Sequence, residues 1–391
     1  MNKNLFAILM AGVVSAQSFA ASAADKAAAD KVASLIDAIY VKEWTEDTDA
    51  QCAAAKKAWD TLTDEQKELV EGENADPDYF GRDTGDASKD NPLNHDKAGE
   101  NEILVVSFGT SFNTSRVQDI SGVEKAIQNA NPDWIVRRAF TSQIIINHIQ
   151  ARDGEKIDNV EQALRRAAKN GVKNLVVQPT HLMHGAEYDE LSSCVQRHAD
   201  SFEKIVVAEP LLGKVGKTVN ETNADKQAVA KAVVDQTAKE AGFKSQKAAK
   251  KAGTAFVFMG HGTSHAAKVS YLQMAAQMKA LKYDNVFIGT VEGEPEETAC
   301  ENVISSVKEG GFKNVLIRPL MVVAGDHANN DMAGDDDDSW KTMFTNSGAF
   351  NKIDFQITGL GRIGDIQKVY VRHTKDAIGQ LKTIAAKKKL N

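Results

Sequence analysis

His261, Glu292 and His327 are the side chains whose types and settings point most directly to chemistry. His261 sits in Gly260-His261-Gly262 at the end of an apolar run, Glu292 closes Gly289-Thr290-Val291-Glu292, and His327 follows Gly325-Asp326. Two imidazoles and a carboxylate suit divalent Co, Ni, Fe or Zn and leave coordination positions open for an incoming ligand. A neutral imidazole or a carboxylate also accepts a proton near neutral pH. Their wide separation excludes the local spacing of a structural zinc knuckle. Glu187 joins them by position: Val172 to Pro179 recurs as Phe312 to Pro319, and the same register sets Gly185 over Gly325 and Glu187 over His327. A carboxylate and an imidazole at matching loop positions of a duplicated unit imply a cleft between two halves.

Short strands must position these groups. Ile103 to Phe108, Trp134 to Phe140, Asn174 to Gln178 and Lys204 to Ala208 are apolar runs separated by helical stretches such as 160–169. The pattern restarts at Ala255, with strands near 285–290, 313–318 and 353–357 and a closing helix over 365–388. Alternating strands and helices predict parallel sheets flanked by helices. In such sheets ligands gather at the carboxyl ends of the strands, where all four residues fall. The first strand of each half ends in a Gly-Thr-Ser turn, Gly109 to Ser111 and Gly262 to Ser264. Neither turn carries a GxGxxG fingerprint or a Walker lysine, and no Gly-x-Ser-x-Gly elbow is present, so nucleotide binding and serine hydrolysis lack support.

The rest of the chain bounds the reading. Residues 1–23 read as a secretory signal: Lys3, an apolar run from Leu5 to Val14, and Ala21-Ser22-Ala23 as cleavage site, which predicts an exported protein, periplasmic or extracellular. Residues 24–70 form a small helical module, with a stripe of Val32, Leu35, Ile36, Ile39 and Tyr40 and a capping box at Thr63 and Gln66. The Gly-, Asp-, Asn- and Pro-rich segment 71–101 reads as a flexible linker. The two α/β halves follow at 102–250 and 251–391, the first ending in a helical connection over 225–251. No later run reaches transmembrane length. The 391 residues carry a net charge of −7 and 6% aromatics, which excludes nucleic acid as a partner. Cys52, Cys194 and Cys300 are widely spaced and read as helix-packed thiols without chemistry.

Longer motifs carry a resemblance. Phe-Met-Gly-His-Gly-Thr-Ser-His (258–265), Gly-Thr-Val-Glu (289–292) and Pro-Leu-Met-Val-Val-Ala-Gly-Asp-His-Ala-Asn-Asn-Asp-Met (319–332) stand with Val-Val-Ser-Phe-Gly-Thr-Ser (105–111), Arg-Ala-Phe-Thr-Ser (138–142) and Gly-Asp-Asp-Asp-Asp-Ser-Trp-Lys (334–341). Together they resemble the anaerobic sirohydrochlorin cobaltochelatases, the class II chelatases of cobalamin synthesis, over about residues 103 to 385. The resemblance implies a chelatase-like fold of two similar α/β halves. It implies a lyase-type enzyme that inserts Co²⁺ into sirohydrochlorin without ATP, with Fe²⁺, Ni²⁺ or Zn²⁺ as other metals. It further implies that His261, Glu292 and His327 hold the metal and that Glu187 faces them, positioning the macrocycle or taking its protons.

The residues themselves leave alternatives open. His261 also reads as a loop hydrogen-bonder, Glu292 as a solvated acid beside Glu294, Glu296 and Glu297, and Glu187 as a first-turn cap. His181 and His184, after Pro179, read either as contacts to the macrocycle or a haem or as surface histidines. His265 starts a helix more readily than it joins the metal, and Asp335 to Asp338 form a solvated acidic loop more readily than a cation funnel. A second function, capture of haem, another tetrapyrrole or metal for uptake, or removal of metal from an imported tetrapyrrole, fits an exported chain. A homo-oligomer is compatible with either.

Overall fold

The computed structural model describes residues 21–96 and 99–388. Most of the expected leader, residues 1–20, lies outside that range; Ser22 caps a helix over Ala23–Ile39, accepting from the Asp25 amide.

Among the described residues, eight parallel strands form two sheets. β1 (Asn101–Ser107), β2 (Ile135–Phe140), β3 (Asn174–Pro179) and β4 (Lys204–Val207) are ordered β2-β1-β3-β4. β5 (Thr254–Gly260), β6 (Val286–Thr290), β7 (Asn314–Pro319) and β8 (Lys352–Phe355) repeat that order as β6-β5-β7-β8. The register repeats as well: Val106 pairs with Pro179, and Met259 pairs with Pro319. The central strands bury both faces, which is why they read as unbroken apolar runs. Leu104 and Val106 pack under the helices Val160–Lys169 and Ala186–Arg197, and Ala255, Val257 and Met259 under Cys300–Glu309. Ile103 and Val105 share a central core with Phe256 and Phe258, so both sheets bury their inner faces in one cluster.

The order of the chain and the division in space differ. The helical connection expected over 225–251 is two helices, Ala224–Glu240 and Gln246–Lys251, separated at Gly242, where φ is +78°. The first of these reaches the second sheet, where Glu240 pairs with buried Arg318 at 2.6 Å. The closing helix Gly364–Lys388 returns to the first sheet: Tyr370 donates to the Thr180 carbonyl at 2.7 Å and Thr374 to Gln178 Oε1 at 2.9 Å. Each half is therefore roofed partly by the other's chain, and a boundary at 250 describes sequence rather than packing.

The N-terminal module has its own apolar cluster, centred on Ile36, Cys52, Trp59 and Phe80, and it packs on the helix Gln143–Asp153 through Ala151. His148 stacks on Tyr79, centroids 4.1 Å apart. The segment expected as a flexible linker is anchored. The Asp90 side chain is wholly buried between Arg116 (Nε 2.7 Å) and Arg138 (Nη1 2.5 Å), and Arg82 donates to Asn330 at 3.2 Å. Its turn-forming composition is genuine, but two buried guanidiniums require a carboxylate, and Asp90 supplies it.

Candidate metal-handling site

The β-ladder itself sets Glu292 beside His261. Backbone bonding between β5 and β6 continues past the strands, with the Val291 amide donating to the Gly260 carbonyl and the Glu292 amide to the His261 carbonyl, both at 2.9 Å. Gly262 (φ +98°) makes the turn, and its amide donates to the buried Tyr271 hydroxyl at 3.1 Å. A Cβ on Gly262 would lie 2.7 Å from Glu292 Cβ, so the glycine provides the space that the carboxylate fills. Gly109 (φ +108°) makes the matching turn in the first half. His261 Nε2 lies 3.8 Å from Glu292 Oε1.

His327 comes from the loop after β7, in the short helix Asp326–Asn329, and meets His261 edge to face with centroids 4.5 Å apart. Both rings have their tautomer fixed by their neighbours. His261 Nδ1 is 2.9 Å from the Gly262 carbonyl, and His327 Nδ1 is 2.8 Å from Asp331 Oδ2. Carbonyl and carboxylate oxygens only accept, so each Nδ1 carries the hydrogen and each neutral ring keeps its lone pair on Nε2. Hydrogen bonding to Asp331 raises the His327 pKa; burial opposes the shift. The three side chains stay accessible, with 47% (His261), 53% (Glu292) and 42% (His327) of their area exposed.

The first half supplies the facing wall. Ser115 donates to the Ala324 carbonyl at 2.6 Å and the Ala324 amide to buried Asp119 at 3.1 Å, fixing the loop that leads to His327. Glu187 lies in the first turn of Ala186–Arg197, capped at Gly185 as Asp326–Asn329 is at Gly325, so the repeat predicted from sequence is structurally in register. Half of the Glu187 side chain is exposed, yet the protein around it desolvates the carboxylate and raises its pKa, with Glu190 adding to it, and its charge reaches Tyr271 of the second half. Buried His181 lies 3.7 Å from Glu187 Oε2, and neither ring nitrogen has a hydrogen-bond partner. Burial lowers its pKa to about 4.

The other candidates go elsewhere. His184 Nε2 is 2.7 Å from Glu209 Oε2 and its ring packs on Tyr188. His265 Nδ1 accepts from the Ala267 amide at 3.1 Å, which puts a neutral ring's hydrogen on Nε2, toward Asp189 at 3.4 Å. That tautomer offers a metal no lone pair. Lys341 pairs with Asp335, and Ser339 caps the helix Trp340–Asn346.

Two residues escaped the sequence reading. Asp331 orients His327, and its signal was an i, i+4 spacing inside a motif already noted. Phe108, 47% exposed at the end of β1, holds the position that His261 holds after β5, as the matched Gly109 and Gly262 turns show.

The chain has relatives of known family. The family model described as cobalt chelatase (CbiK) matches residues 101–379. A sirohydrochlorin cobaltochelatase of Salmonella typhimurium is 34% identical over 276 residues, covering 71% of this chain and 96% of that protein. A second, sirohydrochlorin cobaltochelatase CbiKC of Nitratidesulfovibrio vulgaris, is 32% identical over 259 residues, covering 66% and 84%. Among solved structures, SirB from Bacillus subtilis with Fe3+ aligns with a TM-score of 0.48 at 14% identity, covering 72% of this chain and 99% of that one. With its family-matched region spanning both sheets and every cleft residue described, this chain belongs to the cobalt chelatase (CbiK) family.

Proposed function

We propose that this protein inserts Co²⁺, and Fe²⁺ as a second metal, into sirohydrochlorin without ATP, and that the cleft between the two sheets is where it does so. The observation that carries the reading is the paired tautomer: two imidazoles with centroids 4.5 Å apart, each tied at Nδ1, keep their lone pairs on Nε2, with the His261 Nε2 3.8 Å from the Glu292 carboxylate. Such a set holds a partly dehydrated divalent ion and leaves positions open for ring nitrogens. The trio is also loose and half-exposed, which suits an ion that must be handed on rather than kept.

Insertion replaces two pyrrole N–H groups with metal–nitrogen bonds, so two protons must leave as the ion enters. Glu187, across the cleft, is the acceptor in this scheme. Desolvation gives its carboxylate more affinity for a proton than a solvated acid has. Buried His181 lies next along, a neutral ring 3.7 Å away that could pass a proton on. Phe108 offers an apolar ring to one face of the macrocycle.

Haem capture through His181 or His184 is the competing reading. It would require His184 to leave Glu209 or His181 to come out of the interior, so the geometry favours the chelatase. Other metals, Ni²⁺ and Zn²⁺, fit the same donors. Export rests on residues 1–23 and is tested by N-terminal sequencing of periplasmic protein. A homo-oligomer would use the exposed Tyr40, Val41 and Trp44, and sedimentation reads it.

The deciding experiment mixes purified protein with sirohydrochlorin and Co²⁺ and follows the absorbance change of metallation. Acceleration over the spontaneous rate is expected. Tight tetrapyrrole binding without acceleration would replace the enzyme with a carrier.

A further inference from the structure

Away from the cleft, three metal-ligating side chains of different types converge on the outer face of the first half. One ligand atom from each of Glu161, Cys194 and His198 lies within 4.8 Å of the others. Glu161 begins the helix Val160–Lys169; Cys194 and His198 stand four residues apart at the end of Ala186–Arg197, on one face of one helix. At 1.5 Å per residue, the eleven residues from Glu187 to His198 put this cluster about 16 Å along the helix from the cleft carboxylate.

We propose that Glu161, Cys194 and His198 form a second metal site, for a borderline divalent ion of which Zn²⁺ is the best match, independent of the tetrapyrrole chemistry. The imidazole supplies the first argument. His198 Nδ1 is 3.0 Å from the Cys194 carbonyl, which fixes the hydrogen there and turns the Nε2 lone pair toward Glu161 Oε1, 3.1 Å away. A lone pair facing a carboxylate at that distance needs a cation between them, either a second proton on the ring or a metal ion. The thiol supplies the second argument. Cys194 Sγ lies 3.6 Å from Glu161 Oε2. Tetrahedral zinc with bonds of about 2.0–2.3 Å separates its ligand atoms by roughly 3.3–3.8 Å, so both measured spacings are near those of a ligand set. Sulfur, nitrogen and oxygen donors together select zinc-like ions over Mg²⁺ or Ca²⁺.

Binding follows a simple balance. The ion takes the Cys194 thiolate, His198 Nε2 and a Glu161 oxygen, with water completing the tetrahedron. The thiol proton is released to solvent, along with any proton on His198. Arg165, whose Nη2 lies 2.9 Å from Glu161 Oε1, is largely exposed and can swing aside. The ion would pin the two helices that cover one face of the first sheet. Cys194, read from sequence as an inert packed thiol, thereby gains a role.

The test uses the whole protein, reduced, with Co²⁺ as a spectroscopic probe. No cysteine lies in the cleft trio, so cobalt bound there gives no thiolate-to-cobalt charge-transfer band. Wild type should show that near-ultraviolet band, saturating within the two equivalents that this site and the cleft trio take up together, and erased by excess Zn²⁺. Cys52→Ser and Cys300→Ser should keep it and Cys194→Ser should lose it, with metallation of sirohydrochlorin unchanged. His198→Gln and Glu161→Gln preserve the thiol and should each weaken Zn²⁺ binding by more than the roughly 10–100-fold typical of losing an outer partner. No band in wild type, a band surviving in Cys194→Ser, or Zn²⁺ affinity unmoved in both Gln variants would each overturn the site.

Discussion

His261 and His327 approach edge to face, centroids 4.5 Å apart, although each belongs to a different strand-end loop. Neither ring is free to turn, because Gly262 and Asp331 each hold an Nδ1 hydrogen. Each neutral ring therefore keeps its lone pair on Nε2, that of His261 lying 3.8 Å from Glu292 Oε1. Replacing either ring by alanine should lower cobalt insertion by at least about a hundredfold, since a misplaced or missing ligand leaves the ion unpositioned. Folding should be unaffected, because both side chains are nearly half exposed. Rate measurements beside circular dichroism check this; a folded variant inserting metal at full rate removes the assignment.

Asp331→Asn tests the orienting carboxylate. Cobalt affinity at neutral pH should fall by roughly 10–100-fold, as for other outer partners of a ligating histidine. The sign of the pH effect follows from protonation. An imidazolium cannot ligate, and Asp331 raises the His327 pKa, so wild type begins to bind metal at a higher pH than an unpaired imidazole would. The variant's binding onset should move toward acid, as read by cobalt titration across pH.

Glu187→Gln separates proton transfer from metal holding. Cobalt affinity should stay within a few-fold of wild type while kcat falls by about 10²-fold, the usual scale for losing a general base. Burial raises this carboxyl's pKa, so wild-type kcat should climb with pH through a value above the ordinary carboxylate range. That limb should vanish in the variant. A retained limb would assign the proton to another group.

Gly262→Ala puts a methyl 2.7 Å from Glu292 Cβ at a backbone φ of +98°. The strain should cost about 1–3 kcal/mol of stability. Metal affinity should fall further than the stability loss explains, because the carboxylate is pushed from His261. The matching change Gly109→Ala meets Phe140 at 2.6 Å, where it should cost stability but spare metal affinity. Equal metal affinities in the two variants would contradict the role given to Gly262.

Asp90→Ala should destabilise the protein by up to about 3 kcal/mol, since it removes the carboxylate shared by two buried guanidiniums and leaves Arg138 with Glu124 and Arg116 with Glu155. Burial works against the Asp90 carboxylate, but Arg138 and Arg116 outweigh it and hold its pKa well below the usual range. A depressed carboxyl contributes stability above its unfolded value near ~3.9 and loses it as pH falls toward the folded value. Denaturation at pH 7 and below pH ~4 should therefore show a smaller acid sensitivity in the variant.

Much of this architecture was legible in the residues because it follows from local rules. Apolar runs of strand length between glycines gave the eight strands, and the repeated Asn-x-x-x-x-Pro runs of β3 and β7 put Glu187 in register with His327. The candidate metal donors stood out by type, imidazole and carboxylate at strand ends, but each also read as a loop hydrogen-bonder or a solvated acid, and the longer motifs around them carried the choice. What the residues could not carry is anything that depends on which surfaces meet. The Asp90 pairing to two arginines, the return of the closing helix to the first sheet and the Glu161–Cys194–His198 cluster join segments far apart in sequence, and no period encodes such contacts. The tautomers of His261, His265 and His327 were also undecided until their Nδ1 partners were in place. A side chain's type states which bonds it can make; only packing fixes which atom is left open to a ligand, because that choice belongs to the neighbour.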